Sequence, residues 1–258
     1  MPYADLHVHT TRSDGDLELE AVPTAARRAG VDVVALTDHD RLQPFDEPAV
    51  ERDGVTILQG IELRVETAEG HRLDLLGYGL EPTDELVATI TRLQTDRIER
   101  GRAIVDCVED RFGVTLDVAV DEGFGRPHVA RAIDAHPELE YDYQGAFDHV
   151  IGSDCPCYVA RTIPSFERGR AALAESARLI SLAHPLRYPD PDAALAYAAE
   201  LDAVELRYPY GRDVDRRPVE RAIERHDLLA TGGTDAHDDR LGVAGLTRSE
   251  YDRLNLSV

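Results

Sequence analysis

Short clusters of histidine and carboxylate recur at the ends of apolar runs in this chain, and that recurrence constrains its fold more than any other feature. The clusters are Asp5-Leu6-His7-Val8-His9, Thr37-Asp38-His39, Gly60-Ile61-Glu62, Ala183-His184-Pro185 and Thr234-Asp235-Ala236-His237. The runs they close read as strands: Pro2 to Val8, Val31 to Leu36, Val55 to Leu58 reaching Glu62, Leu179 to Ala183, and Leu228 to Thr231. Only Asp32 interrupts Val31 to Leu36, the pattern of a strand buried on both faces. Helical patterns alternate with them. Leu17 to Ala29 ends at Gly30, with Pro23 a defect in its first half, and Arg168 to Arg178, Pro191 to Leu201 and Val214 to Arg225 follow later, with Ala203 to Leu206 a further strand. Strands alternating with helices imply parallel βα units. In such folds the strand-end residues share one face, where α/β proteins build their sites.

Histidine and carboxylate are the usual ligands of zinc, manganese and iron. Residues i and i+2 of a strand point the same way, so His7 and His9 face one ion, as do Asp235 and His237 if the backbone stays extended there. A hairpin is expected where Leu63 to Thr67 and Arg72 to Tyr78 flank Glu69-Gly70. The alternation then breaks. Pro82 to Arg111 is one long polar helical pattern, Val114 to Val120 is short and mixed, and Val129 to Ala135 is helical. Residues 81–165 therefore read as an inserted, mainly helical subdomain for substrate binding or as a lid, and residues 1–80 and 166–258 as the metal-binding domain.

The formal net charge is −22; all 28 basic residues are arginine, against 50 acidic ones spread along the chain. An acidic coat of this kind suits concentrated salt, where the Debye length falls to about 3 Å at 1 M. A GC-rich genome, whose codons favour arginine over lysine, is the other source. The charge argues against an extended duplex nucleic acid as partner but not against a short nucleotide held by local arginines and metals. No apolar run approaches a membrane span, and Met1-Pro2 leads straight into a strand with no signal segment. Cys107, Cys155 and Cys157 are a sparse, odd set that fits a reducing cytoplasm, and Cys155-Pro156-Cys157 lacks the spacer of a redox or zinc pair.

Taken together, DLHVHT followed by SDG, LTDHD, GIE, AHP and GGTDAH resembles the PHP (polymerase and histidinol phosphatase) superfamily, in its order and through nearly the whole chain. The resemblance implies an α/β fold, a distorted (β/α)7 barrel holding two to three divalent metal ions. Carried over by motif, His7, His9, Glu62 and Asp235 hold the first ion. Glu62 bridges to a second, shared with His184 and Asp74, while Asp14, His39 and His237 hold a third. Many relatives carry histidine where this chain has Asp74; aspartate adds negative charge and favours Mn²⁺, with Fe²⁺ or Zn²⁺ the alternatives. If Asp74 is not a ligand, the second site is vacant or differently liganded. Asp5 and Asp38 are expected to orient neighbouring imidazoles, and Asp40 to cap a helix.

Gly125-Arg126-Pro127-His128-Val129-Ala130-Arg131 is similar to the Arg-Pro-His helix start of one branch, which contains nucleoside 3′,5′-bisphosphate phosphatases and 5′→3′ exoribonucleases. That resemblance implies that Arg126 and His128 contact a substrate phosphate, with Arg187 a further contact. A metal-activated water would attack phosphorus, Arg126 would stabilise phosphoryl charge, and His128 would stabilise charge or protonate the leaving alkoxide. The expected activity is removal of the 3′-phosphate from a nucleoside 3′,5′-bisphosphate. Alternatives are 5′→3′ exonuclease action on short RNA, histidinol-phosphate phosphatase, or a non-catalytic domain that binds metal or nucleotide. A barrel deacetylase is more remote, because its usual bridging lysine has no counterpart in a chain without lysine. The oligomeric state is left open.

Overall fold

The computed structural model describes residues 1–256. The chain forms two compact units, Met1–Thr89 with the segment from Ile163 onward, and Ile90–Thr162. The first opens with β1 (Ala4–Val8), α1 (Val22–Ala29), β2 (Val33–Leu36), β3 (Ala49–Arg52), β4 (Val55–Glu66) and β5 (Arg72–Tyr78). Helix α2 (Asp84–Phe112) leads into the second unit, which holds α3 (Arg126–Ala135) and α4 (Tyr143–Ala146), the latter continued by a π-helical turn. The first unit resumes with α5 (Phe166–Ala174), β6 (Leu179–Leu182), α6 (Pro191–Ala198), β7 (Ala203–Arg207), α7 (Arg217–His226), β8 (Leu229–Gly232) and α8 (Arg248–Asp252).

The strands form one curled sheet in the order β1-β2-β4-β5-β6-β7-β8, with β3 paired to β4. Val8 bridges Ala236 in parallel, so the first strand meets the segment that follows the last. The sheet is a distorted α/β barrel, but it is not parallel throughout: β5 runs antiparallel to both β4 and β6, because the hairpin reverses the chain within the sheet. Strand β4 spans what the sequence divides into a strand and a hairpin arm. Its Thr56–Gln59 stretch pairs with β2, and Gly60–Glu66 pairs with β5. A Cβ on Gly60, at the change of partner, would lie 2.9 Å from the Leu36 carbonyl oxygen. Glu62 therefore sits within a strand, not at its end.

Helix α1 begins at Val22 with Pro23 in its first turn, where a missing N–H costs nothing, so Pro23 starts the helix and is no defect in it. Gly30 closes it at φ 70°, donating to the Ala26 and Arg27 carbonyls. Between helix and sheet, Val22 and Ala26 pack with Leu36 and Ile57, all fully buried. Inside the curl, Leu6, Leu58, Leu76 and Tyr78 form a second cluster. Each such side chain contributes about 1.5–3 kcal/mol by leaving water, which fixes the strands that carry the histidines.

The second unit has its own core of Ile104, Val108, Phe124, Val129, Ile133, Val150 and Ile151. Residues 114–120 form no regular element. All three cysteines belong to this unit. Cys107 on α2 and Cys157 form a disulfide across a separation of 50 residues, and Cys155 is the free, half-buried one. The packing of that core brings the pair together, which spacing alone does not reveal. Among the described residues no helix is long and apolar enough to cross a membrane.

Candidate metal centre

Strand alternation aims both histidines of the first motif into the curl. His7 and His9 are fully buried, and their Nε2 atoms lie 3.6 and 3.4 Å from Glu62 Oε2 and 3.4 and 3.1 Å from Asp235 Oδ1. None of His7 Nε2, His9 Nε2 and Glu62 Oε2 has a hydrogen-bond partner, although all three are buried. Leaving buried polar atoms without partners costs about 1–3 kcal/mol apiece. Lone pairs that converge without bonding one another are what a metal cation would satisfy.

Three groups of residues bring ligand atoms within 4.8 Å of one another: His7, His9 and Glu62; Glu62, Asp74 and His184; and His9, Asp14, His39 and His237. Glu62 belongs to the first two and His9 to the first and third, so the groups form one continuous cluster. In the second, His184 Nε2 is 3.0 Å from Glu62 Oε1 and 3.8 Å from Asp74 Oδ2. In the third, Asp14 carboxylate oxygens lie 3.4 Å from His237 Nε2 and 3.9 Å from His39 Nε2, while His39 Nδ1 is 2.8 Å from Glu62 Oε2.

Asp235 adopts φ 54° and His184 φ 30°, both in the left-handed region. Asp235 and His237 thus reach the cluster from a turn, not from the extended backbone that their spacing suggests. Such conformations cost of order 1–3 kcal/mol each and persist only where surroundings impose them. Part of that imposition is Gly233, on which a Cβ would stand 2.3 Å from the His7 backbone nitrogen.

The carboxylates beside the motifs do not hold imidazoles as expected. Asp5 accepts from Thr234 N (2.8 Å), Thr234 Oγ1 (2.6 Å) and Gly242 N (2.8 Å), which ties down the loop carrying Asp235. Asp38 accepts from Thr10 N, Thr10 Oγ1 and Ser13 Oγ at 2.6–2.8 Å and fixes the turn that presents Asp14. Their short side chains reach backbone N–H groups and hydroxyls, not rings. Asp40, likewise, starts no helix; at φ 50° it accepts from Arg64 N at 3.2 Å.

The acid that orients an imidazole is Glu205, fully buried on β7 and not singled out by any motif. Its oxygens lie 3.2 and 3.4 Å from His7 Nδ1, and Oε2 accepts from the His184 backbone N–H at 2.7 Å. A carboxylate on Nδ1 leaves Nε2 as the ligand atom. A lone glutamate in the otherwise apolar run Ala203 to Leu206 was the available signal.

Electrostatics bind the cluster together. Burial by itself would lower the pKa of His7, but Asp235, Glu205 and Glu62 carry it well above its usual value. Burial lowers that of His9, helped by neighbouring His39 and His237. Burial would raise the carboxylates of Glu62, Asp235 and Asp14, yet the surrounding imidazoles hold all three well below the ordinary range. For His237 burial is outweighed by Asp14, and its pKa rises to about 9. Ionised carboxylates facing buried imidazoles are the donor set that a divalent ion takes over, displacing protons from the rings.

Asp74 also has a competing partner. Its cross-strand neighbour Arg64 forks onto both oxygens, Nε to Oδ1 and Nη2 to Oδ2, each at 2.7 Å. Arg187, expected to meet substrate phosphate, donates to Asp235 Oδ2 and Tyr208 Oη, both at 2.8 Å. Asp14, His39, Glu62, Asp74, His184, Asp235 and His237 line a cavity of about 380 Å³ together with Arg64, Arg72, Arg187 and Tyr188. Arg126 and His128 belong to the second unit. There Gly125 N–H donates to His128 Nδ1 at 3.1 Å, which caps α3, and the His128 ring stacks on Phe124.

The chain is 28% identical over 255 residues to a 3′,5′-nucleoside bisphosphate phosphatase of Chromobacterium violaceum, covering 92% of this chain and 88% of that one. It is 28% identical over 250 residues to a phosphoribosyl 1,2-cyclic phosphate 1,2-diphosphodiesterase of Eggerthella lenta, covering 90% and 93%. A solved structure from Bifidobacterium adolescentis superposes with a TM-score of 0.79 at 23% identity, over 99% and 96% of the two chains. The PHP domain pattern matches residues 5–180, which take in His7, His9, Asp14, His39, Glu62 and Asp74. With a cluster of buried imidazoles and carboxylates set in a curled α/β sheet, the chain belongs to the PHP-domain family and is a metal-dependent phosphoesterase of that fold.

Proposed function

We propose that the chain hydrolyses a phosphate monoester of a small nucleotide, the 3′-phosphate of a nucleoside 3′,5′-bisphosphate. The observation that carries this reading is the convergence of His7 Nε2, His9 Nε2 and Glu62 Oε2, buried without hydrogen bonds, beside a cavity that Glu62 lines together with Arg64, Arg72 and Arg187. The two curated relatives act, by name, on phosphates of nucleoside or phosphoribosyl compounds. A cavity of about 380 Å³ suits a small ligand.

In this reading His7, His9, Glu62 and Asp235 hold a first divalent ion, Glu62, His184 and Asp74 a second, and Asp14, His39 and His237 a third, with Mn²⁺ the preferred metal. Such ions supply an activated water and neutralise phosphoryl charge. Glu205 keeps His7 in the tautomer that presents Nε2. Arg187, already aimed at Asp235, is placed to trade part of that bond for a phosphoryl oxygen. Arg126 and His128 contact substrate phosphate, and the second unit serves substrate binding. The acidic surface adapts the protein to concentrated salt inside the cell.

The test is phosphate release from adenosine 3′,5′-bisphosphate, AMP and histidinol phosphate by Mn²⁺-loaded protein in 2 M KCl, with Asp235→Asn as control. Release from the bisphosphate at least tenfold faster than from the others, lost in the control, is the expected result. Preference for histidinol phosphate would overturn it, and activity confined to short RNA would move the assignment to exonuclease.

A further inference from the structure

Arg64 and Asp74 face each other across the β4–β5 ladder. The carboxylate is 2% exposed, and the guanidinium forks onto it, Nε to Oδ1 and Nη2 to Oδ2 at 2.7 Å each. Arg64 is anchored by its strand and by the bond of its N–H to Asp40 Oδ1. Its side chain, 36% exposed, lines the cavity beside the cluster, so the room for movement belongs to the side chain alone. The fork uses Nε and Nη2, and Nη1 makes no hydrogen bond among the described residues.

Two partners compete for Asp74. Its Oδ2 lies 3.8 Å from His184 Nε2, which is itself 3.0 Å from Glu62 Oε1, and these three residues bring ligand atoms together around one point. The oxygen offered to a cation there is the one that holds Nη2. Like charges a few Å apart with little water between them repel strongly, so a divalent ion on Oδ2 and a guanidinium on the same oxygen exclude each other. The Nε bond to Oδ1 is under no such conflict, because each carboxylate oxygen carries its own lone pairs. Turning about that bond swings the Nη1–Nη2 edge from Asp74 into the cavity. Two parallel N–H groups on a planar cation match two phosphoryl oxygens. Without the ion the fork stays closed, since a buried carboxylate stripped of its only cation is strongly destabilising. Arg187 differs, since it gives one nitrogen to one oxygen of Asp235 and shares that nitrogen with Tyr208.

We propose that Arg64 is a phosphate-binding residue held in reserve on Asp74: a divalent ion at Glu62, His184 and Asp74 detaches Nη2, and the Nη1–Nη2 edge then takes a phosphoryl group in the cavity. Metal and phosphate binding are thereby coupled, each strengthening the other by the same factor. The exchange rests on the second ion of the function proposed above and on no particular substrate.

The experiment is calorimetric titration of the full-length, metal-free protein with Mn²⁺, with and without inorganic phosphate, and of the Mn²⁺-saturated protein with inorganic phosphate. Asp74→Asn identifies the second ion as the binding event that it removes. In wild type, phosphate should tighten that event roughly tenfold, the worth of one charged hydrogen-bonding partner. Arg64→Met should hold the second ion more tightly than wild type when phosphate is absent, because nothing competes for Asp74. The same variant, saturated with Mn²⁺, should bind phosphate roughly tenfold more weakly. Arg64→Lys keeps the charge without the fork and should also lose phosphate affinity; it carries the test if thermal melting shows Arg64→Met to be unfolded. A purely structural pair would leave phosphate affinity within twofold of wild type in both variants, which would overturn the proposal. A second ion held equally by wild type and Arg64→Met would overturn the exchange alone. Absence of a second ion from every variant and from wild type would overturn it together with the second metal site.

Discussion

Glu205→Gln should loosen the metal centre without touching any proposed ligand atom. One carboxylate serves both flanks of the cluster, accepting from His7 Nδ1 at 3.2 Å and from the His184 backbone N–H at 2.7 Å. A glutamine has one carbonyl oxygen and one NH₂, so the amide satisfies one of these donors and turns an N–H toward the other. One buried N–H is left unpaired, at about 1–3 kcal/mol, which for a chain of this size lowers Tm by roughly 2–12 °C. The larger effect is on affinity. Loss of the acceptor behind a ligating histidine weakens metal binding about 10–100-fold. Mn²⁺ titration by calorimetry measures this directly, and kcat at saturating Mn²⁺ should recover much of the wild-type value, because the ligands remain. A variant that binds Mn²⁺ within twofold of wild type would refute the argument that Glu205 sets the ring of His7.

Arg64→Met removes the guanidinium that occupies both oxygens of Asp74. Metal content at fixed free Mn²⁺ should rise, and an unchanged content would show that the pair does not compete with an ion. Gly233→Ala forces a Cβ to within 2.3 Å of the His7 nitrogen; overpacking of about 1–3 kcal/mol, visible as a lower Tm together with weaker Mn²⁺ binding, is expected, and an unperturbed Tm would contradict it. Because the His237 pKa is raised from 6.5 to about 9, its attraction to Asp14 is fully present below pH 6.5 and fades as pH rises through about 9. Thermal stability of the EDTA-treated protein should therefore decline between pH 7 and 9.5, and less so in His237→Asn; equal declines would contradict the assignment. With a net charge of −22, Tm should rise from 0.1 to 2 M KCl as self-repulsion is screened, and a flat or falling Tm would count against a salt-adapted surface.

Much of this architecture was legible because it rests on periodicity. The i, i+2 spacing of His7 and His9 survives directly, since both lie on or beside β1 and both Nε2 atoms face Glu62. What failed rests on three-dimensional approach. Asp235 reaches the cluster through a left-handed turn that no alternation rule describes. Glu205 is a lone glutamate in a strand of the sequence, and only the fold brings it behind His7. Asp5 and Asp38 sit near histidines in sequence but bond to loops: the register of β1 shifts between Asp5 and Val8, so alternation does not carry Asp5 to the side of His7, and Asp38 lies beyond the end of β2. Arg64 meets Asp74 through the register of a hairpin whose turn was visible but whose pairing was not. The Cys107–Cys157 bond depends on the packing of a helical unit whose short elements carry weak patterns.

The central claim is that the buried cluster around Glu62 binds divalent metal and that this metal drives phosphate-ester hydrolysis. Titrating metal-free protein with Mn²⁺, while measuring bound metal by mass spectrometry and phosphate release from adenosine 3′,5′-bisphosphate in the same samples, tests it most directly. Release that is absent in EDTA and rises in step with bound Mn²⁺, with Asp235→Asn impaired in both, is the predicted result. Undiminished release from fully chelated protein, or full metal occupancy with no hydrolysis of any phosphate ester, would contradict it.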